Sequence, residues 1–231
     1  MQRVLIIQND PPEALGLYEQ YLRENTDLTL IHAYKMDQGQ SFPPVDQFTH
    51  FVIGPTPISA NEALNHGFLR KEWTYLREIV GSGKPCLGVC CGGQMLTKLL
   101  GGEVVKSPSK EIGGYTVKLT EQGISDPLYR GFPEEFPVFH WHSDMFTVPP
   151  SGQLMASGDP CPVQSFRKGN VWGVIYHLEI TTHDAERWAD AYPEEPKAIG
   201  KTREQVLAEC RATEDEMVKL AKRLMQNFLR Q

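Results

Sequence analysis

The sequence predicts an α/β fold of three layers, a mostly parallel central sheet flanked by helices with an antiparallel edge. Three observations lead there. In the first half, short and continuously apolar runs alternate with segments of helical periodicity, as strands buried on both faces do. In the second half, strand-like runs follow one another through turns rich in Gly, Pro and Asp. From His183 the chain reads as mostly helical.

Taken in order, Arg3 to Gln8 (RVLIIQ) is a first strand, and Pro11 to Arg23 is a helix with Ala14, Leu15, Leu17 and Leu22 as its apolar positions. Leu28 to Tyr34 is a second strand, and Thr49 to Ile53 a third that stops at Gly54-Pro55. Glu72 to Val80 is helical and ends at Gly81-Ser82-Gly83. Pro85 to Val89 is a fourth strand, and Gly92 to Leu100 a helix closed by Gly101-Gly102. Tyr115 to Leu119, Val138 to His142, Val163 to Arg167 and Val171 to His177 are the later strands. Thr202 to Leu229 is a long helix docked on the core through Val206, Leu207, Met217, Leu220, Leu224 and Phe228.

Bulk properties narrow the function. At 231 residues and 40% hydrophobic, the chain carries enough apolar material for one sizeable core. A net charge of −6 with no basic stretch argues against nucleic acid and against an anionic membrane surface as partners. No apolar run approaches the length of a membrane span, and the opening MQRVLIIQNDPP reads as a strand. Five cysteines in a chain of this size suggest free thiols and a cytoplasmic location.

The chemistry concentrates at Gly88-Val89-Cys90-Cys91-Gly92. An apolar strand runs into a helix there, with glycines two before and two after Cys90. That is the spacing of a nucleophile elbow, in which a sharp turn exposes the central side chain at a strand's carboxyl end. The helix N-terminus favours thiolate. Cys90 is the expected nucleophile. Cys91 would act through its backbone N–H as an oxyanion donor, with its thiol packed. A thiol needs a base, and His177 at the end of an apolar strand, with Glu179 two residues on, could supply one. On spacing alone, a strand-end histidine with an incidental acid nearby fits equally well.

Gly88-Val89-Cys90-Cys91-Gly92-Gly93-Gln94 resembles the G-[IV]-C-x-G-x-Q signature of class I glutamine amidotransferases. Tyr176-His177-Leu178-Glu179 resembles their second signature, with Tyr for the usual Phe and Leu where Pro is common. The resemblance implies the family's fold and a Cys-His-Glu triad of Cys90, His177 and Glu179. It implies an oxyanion hole from the backbone of Gly54 and Cys91, and substrate contacts from Gln94, His142, Ser143 and Asp144. Lys110-Glu111-Ile112-Gly113 and Phe139-His140-Trp141-His142-Ser143-Asp144 further resemble the amidotransferase domain of GMP synthase and its free-standing relatives. The implied catalytic domain is 1–182, with 183–231 a helical extension packed on it.

The implied reaction is hydrolysis of the glutamine side-chain amide through a γ-glutamyl thioester, with no cofactor and with ammonia passed to a separate synthase subunit. The alternative is a free-standing hydrolase of γ-glutamyl peptides. A non-catalytic binding module on the same fold is a third reading, disfavoured by the intact triad. His140 and His142 alternate on one strand and, with His177 near, could form a zinc site. Such a site would compete with the thiol for the same sheet edge. The expectation is therefore a polar pocket wall and no metal.

Overall fold

The computed structural model describes the backbone throughout and the side chains of residues 1–36 and 39–231. The elements run β1 (Arg3–Gln8), α1 (Gly16–Asn25), β2 (Asp27–His32), β3 (His50–Ile53), α2 (Gly67–Gly81), β4 (Cys86–Val89), α3 (Cys91–Leu99) and β5 (Val104–Leu119). There follow α4 (Glu121–Ser125), β6 (Glu135–Phe146), β7 (Gln153–Ser157), β8 (Ser165–Lys168), β9 (Val171–Val174), α5 (Thr182–Ala191), α6 (Glu194–Lys197) and α7 (Arg203–Phe228).

One nine-stranded sheet carries them in the order β2-β1-β3-β4-β9-β8-β7-β5-β6. The first five are parallel, and from β9 onward every pairing is antiparallel. The change of sense follows the sequence. Val4 to Ile7, Phe51 to Ile53 and Cys86 to Val89 are buried without alternation, which only a sheet covered on both faces permits. β5 shows mixed burial along its length. Its register with β6 shifts between Lys106 and Glu111, a bulge that includes Pro108.

α7 buries every apolar position expected of it and packs on α1, α5, β5 and β6. Thr202 and Gln205 close its start as a reciprocal capping box, as Thr181 and Asp184 do for α5.

Several boundaries differ from those expected, and tertiary contacts explain them. The first helix starts at Gly16 rather than Pro11. The preceding segment is held out of helix by its own hydrogen bonds, with Trp188 Nε1 donating to Pro12 O at 3.0 Å and Gln8 Nε2 to Asp10 O at 2.9 Å. The second helix begins at Gly67, because burial of Leu69 outweighs the poor helix propensity of glycine. β9 ends at Val174, three residues before His177. His177 instead bridges to Phe139 of β6, exchanging backbone bonds of 2.8 and 3.0 Å. β7 has no counterpart among the expected strands, and β5 and β6 extend well beyond the short runs that mark them in the sequence.

Candidate active site

The turn between β4 and α3 has the geometry its glycines require. Cys90 sits at φ 50°, ψ −113°, a conformation that side chains rarely adopt. A Cβ on Gly88 would lie 2.5 Å from the Gly93 nitrogen, and one on Gly92 would lie 2.3 Å from the Ile53 carbonyl oxygen. Neither position has room for a side chain. The Cys90 N–H donates to Val174 O at 2.8 Å, which locks the turn to the end of β9.

Cys90 opens into a cavity of about 210 Å³. Cys91, Gln94, His142, Ser143 and Asp144 line it too, so every expected substrate contact meets the nucleophile candidate in one space. Asp144 is held from several sides. Ser59 Oγ donates to its Oδ2 at 2.8 Å, Lys106 Nζ lies 2.6 Å from its Oδ1, and Gln94 Nε2 donates to its carbonyl at 3.2 Å. The Cys91 thiol points away from this role and donates to Ile58 O at 3.3 Å.

His177 and Glu179 are fully buried and are not among the residues that line the cavity. His177 Nδ1 is 2.5 Å from Glu179 Oε1, while Nε2 has no hydrogen-bond partner among the described residues. The Trp188 ring meets the imidazole edge-to-face at a centroid distance of 4.8 Å. The Glu179 carbonyl accepts from Leu17 N at 2.7 Å. The imidazole is thus oriented by an acid on one ring nitrogen and by an edge-to-face indole.

The Gly54 amide departs from the expected oxyanion hole. The Gly54 N–H donates to Ile7 O at 2.8 Å, so the sheet itself uses the donor expected to face an oxyanion. The Gly54 carbonyl is pinned as well, accepting from Asn9 Nδ2 at 3.1 Å. Asn9 also donates to Glu72 Oε1 at 3.1 Å.

Electrostatics in the cavity favour neutral forms. Burial pushes the Cys90 thiol up, Glu13 adds to this, and the Cys91 backbone N–H pulls the other way. Burial raises Glu13 to about 8, with Asp10 and Glu179 contributing. Glu13, Tyr192 and Glu195 line the cavity, and no motif in the sequence marks them. Tyr192 Oη donates to Asp10 Oδ2 at 2.5 Å. Tyr192 and Glu195 belong to the C-terminal segment, which therefore shapes the cavity as well as covering the core.

Burial likewise raises Glu72 to about 8. The folded state keeps this proton, whereas the unfolded chain releases it near pH 4.5, so stability falls as pH rises between those values. Glu72→Gln is expected to remove a few kcal/mol of that fall, at about 1.4 kcal/mol per pH unit. Glu13 leaves a residual slope. Urea unfolding at pH 5 and pH 8.5 measures both.

The two β6 histidines do not group with His177, as a three-imidazole zinc site would require. Glu111 of β5 completes their group, and one potential donor atom from each of Glu111, His140 and His142 lies within 4.8 Å of the other two. His140 is pushed to lower pKa by burial, then by His142 and His177.

No helix among the described residues is long and apolar enough to cross a membrane. A family model described as glutamine amidotransferase class-I matches residues 17–188. The glutamine amidotransferase-like protein YfeJ of Salmonella typhimurium is 31% identical over 189 residues, 80% of this chain and 78% of that protein. A subunit of the glutamine-hydrolyzing GMP synthase of Sulfolobus acidocaldarius is 28% identical, over 71% of this chain and 85% of its own. The crystal structure of a glutamine amidotransferase from Thermotoga maritima superposes with a TM-score of 0.89 at 27% identity, covering 100% of this chain and 99% of that one.

Proposed function

The chain belongs to the class I glutamine amidotransferases, and from that premise we propose that it hydrolyses the glutamine side-chain amide with Cys90 as nucleophile. The observation that carries this reading is the strained Cys90 at φ 50°, opening onto a cavity of about 210 Å³. That volume lies below the range of about 300–1,000 Å³ typical of drug-sized ligands and suits a single amino acid.

In the proposed sequence, His177 takes the Cys90 proton through Nε2, the ring nitrogen left free by Glu179. The thiolate attacks the amide carbon, and the C–S bond forms as the oxyanion develops against the Cys91 N–H. Gly54 can join only if its amide leaves Ile7. The imidazolium then returns its proton to the departing nitrogen, the C–N bond breaks and ammonia leaves. Water, activated by the same imidazole, attacks the thioester and releases glutamate with the thiol restored. Gln94, His142, Ser143 and Asp144 hold the amino-acid end of the substrate.

The proposed partner is a separate ammonia-using synthase. This rests on the Sulfolobus acidocaldarius relative, which is named as one subunit of GMP synthase. Steady-state turnover of glutamine against γ-glutamyl dipeptides tests the substrate. Glutamine is expected to have the higher kcat/KM, by about tenfold or more, since a second residue must displace Tyr192 or Glu195 from a small cavity. A preference for the dipeptide would replace this reading with that of a γ-glutamyl peptidase.

A further inference from the structure

Beyond the thiol chemistry, β5 and β6 bring together three side chains that the proposed reaction does not fully use. Glu111 lies directly opposite His142 in the antiparallel register. His140, two residues earlier on β6, projects from the same face, and the two imidazole centroids are 4.8 Å apart. All three residues are buried. His142 Nε2 lies 3.0 Å from Glu111 Oε2, yet not in hydrogen-bond alignment. Among the described residues, both carboxylate oxygens and all four ring nitrogens lack a hydrogen-bond partner. Each buried polar atom left so costs about 1–3 kcal/mol, which makes six together in one place unusual.

We propose that Glu111, His140 and His142 form a buried binding site for a divalent transition-metal cation, zinc by the chemistry of its donors. Two imidazole nitrogens and one carboxylate oxygen are a donor set that zinc accepts with a fourth position to spare. Donors arranged tetrahedrally about zinc stand about 3.4 Å apart, at bond lengths of about 2.1 Å. The 3.0 Å pair is already near that value, and one ligand atom from each residue lies within 4.8 Å of the other two, so small rotations would suffice to seat the ion. Bound there, the ion staples β5 to β6 beside the bulge at Lys106 to Glu111. It also fixes the His142 ring on the cavity wall. The role is positional, and the ion takes no part in bond making.

The test is zinc content and affinity of the full chain after chelator treatment and dialysis against buffered zinc. One zinc per chain is expected, retained equally by wild type and Cys90→Ser. Affinity should fall at least about a hundredfold in His140→Gln and in Glu111→Gln. Cobalt in place of zinc should give tetrahedral visible bands without a thiolate charge-transfer band. A folded wild type that holds no stoichiometric zinc overturns the proposal, and water then fills the group. Zinc that is lost on Cys90→Ser, or kept by a folded His140→Gln, places the ion elsewhere and also overturns it. If the β5 and β6 variants fail to fold, a wild type without stoichiometric zinc still overturns the proposal.

Discussion

Cys90→Ala is expected to lower glutamine hydrolysis by about 10⁴-fold or more, while Cys91→Ala stays within about tenfold of wild type. The two thiols are neighbours in sequence and differ in backbone conformation. Cys90 lies at φ 50° and lines the cavity, and its sulfur feels the Cys91 N–H at the start of α3. The Cys91 sulfur is spent on the Ile58 carbonyl. What Cys91 would contribute is its amide, which Ala retains. Chemical unfolding of the same variants gives an independent check. The positive-φ conformation at Cys90 costs about 1–3 kcal/mol, so Cys90→Gly should be more stable than Cys90→Ala while equally inactive. Equal activity loss in both single variants would remove the distinction between the thiols. Labelling by a glutamine-like electrophile, followed by peptide mapping, should place the adduct on Cys90.

Gly92→Ala is expected to destabilise the fold by about 3 kcal/mol or more, or to prevent folding. The added Cβ would stand 2.3 Å from the Ile53 carbonyl oxygen and 3.1 Å from that of Gly54. These are backbone atoms of β3 and the loop after it, and neither can rotate away. Relief would require α3 to lift from the sheet, breaking the alignment of Cys90 with the end of β9. Urea denaturation of Gly92→Ala against an exposed control such as Gly81→Ala, where a Cβ meets nothing within 4 Å, separates steric cost from loss of glycine itself. A stable, active Gly92→Ala would show that the strand and helix are less tightly apposed than this.

Much of the architecture was legible because its causes are local. β1 coincides with the expected run because four successive apolar residues suit only a strand buried on both faces. The core face of α7 could be read from helical spacing alone. The elbow was legible because backbone crowding demands glycine at two fixed offsets from the strained residue. Boundaries failed where a distant group decided them, as when Trp188 holds the Pro12 carbonyl and delays α1 to Gly16.

The order of residues was therefore sufficient for the parallel half of the sheet, for the turn at Cys90 and for the family to which the chain belongs. Packing alone decided that Glu13, Tyr192 and Glu195 share a cavity with Cys90. It decided that Gly54 spends its amide on Ile7, and that Glu111, not His177, completes the histidine group on β6. The physical reason is range. Periodicity and glycine placement report on a residue's immediate chain neighbours, whereas these contacts depend on strand register and helix docking between segments far apart in sequence.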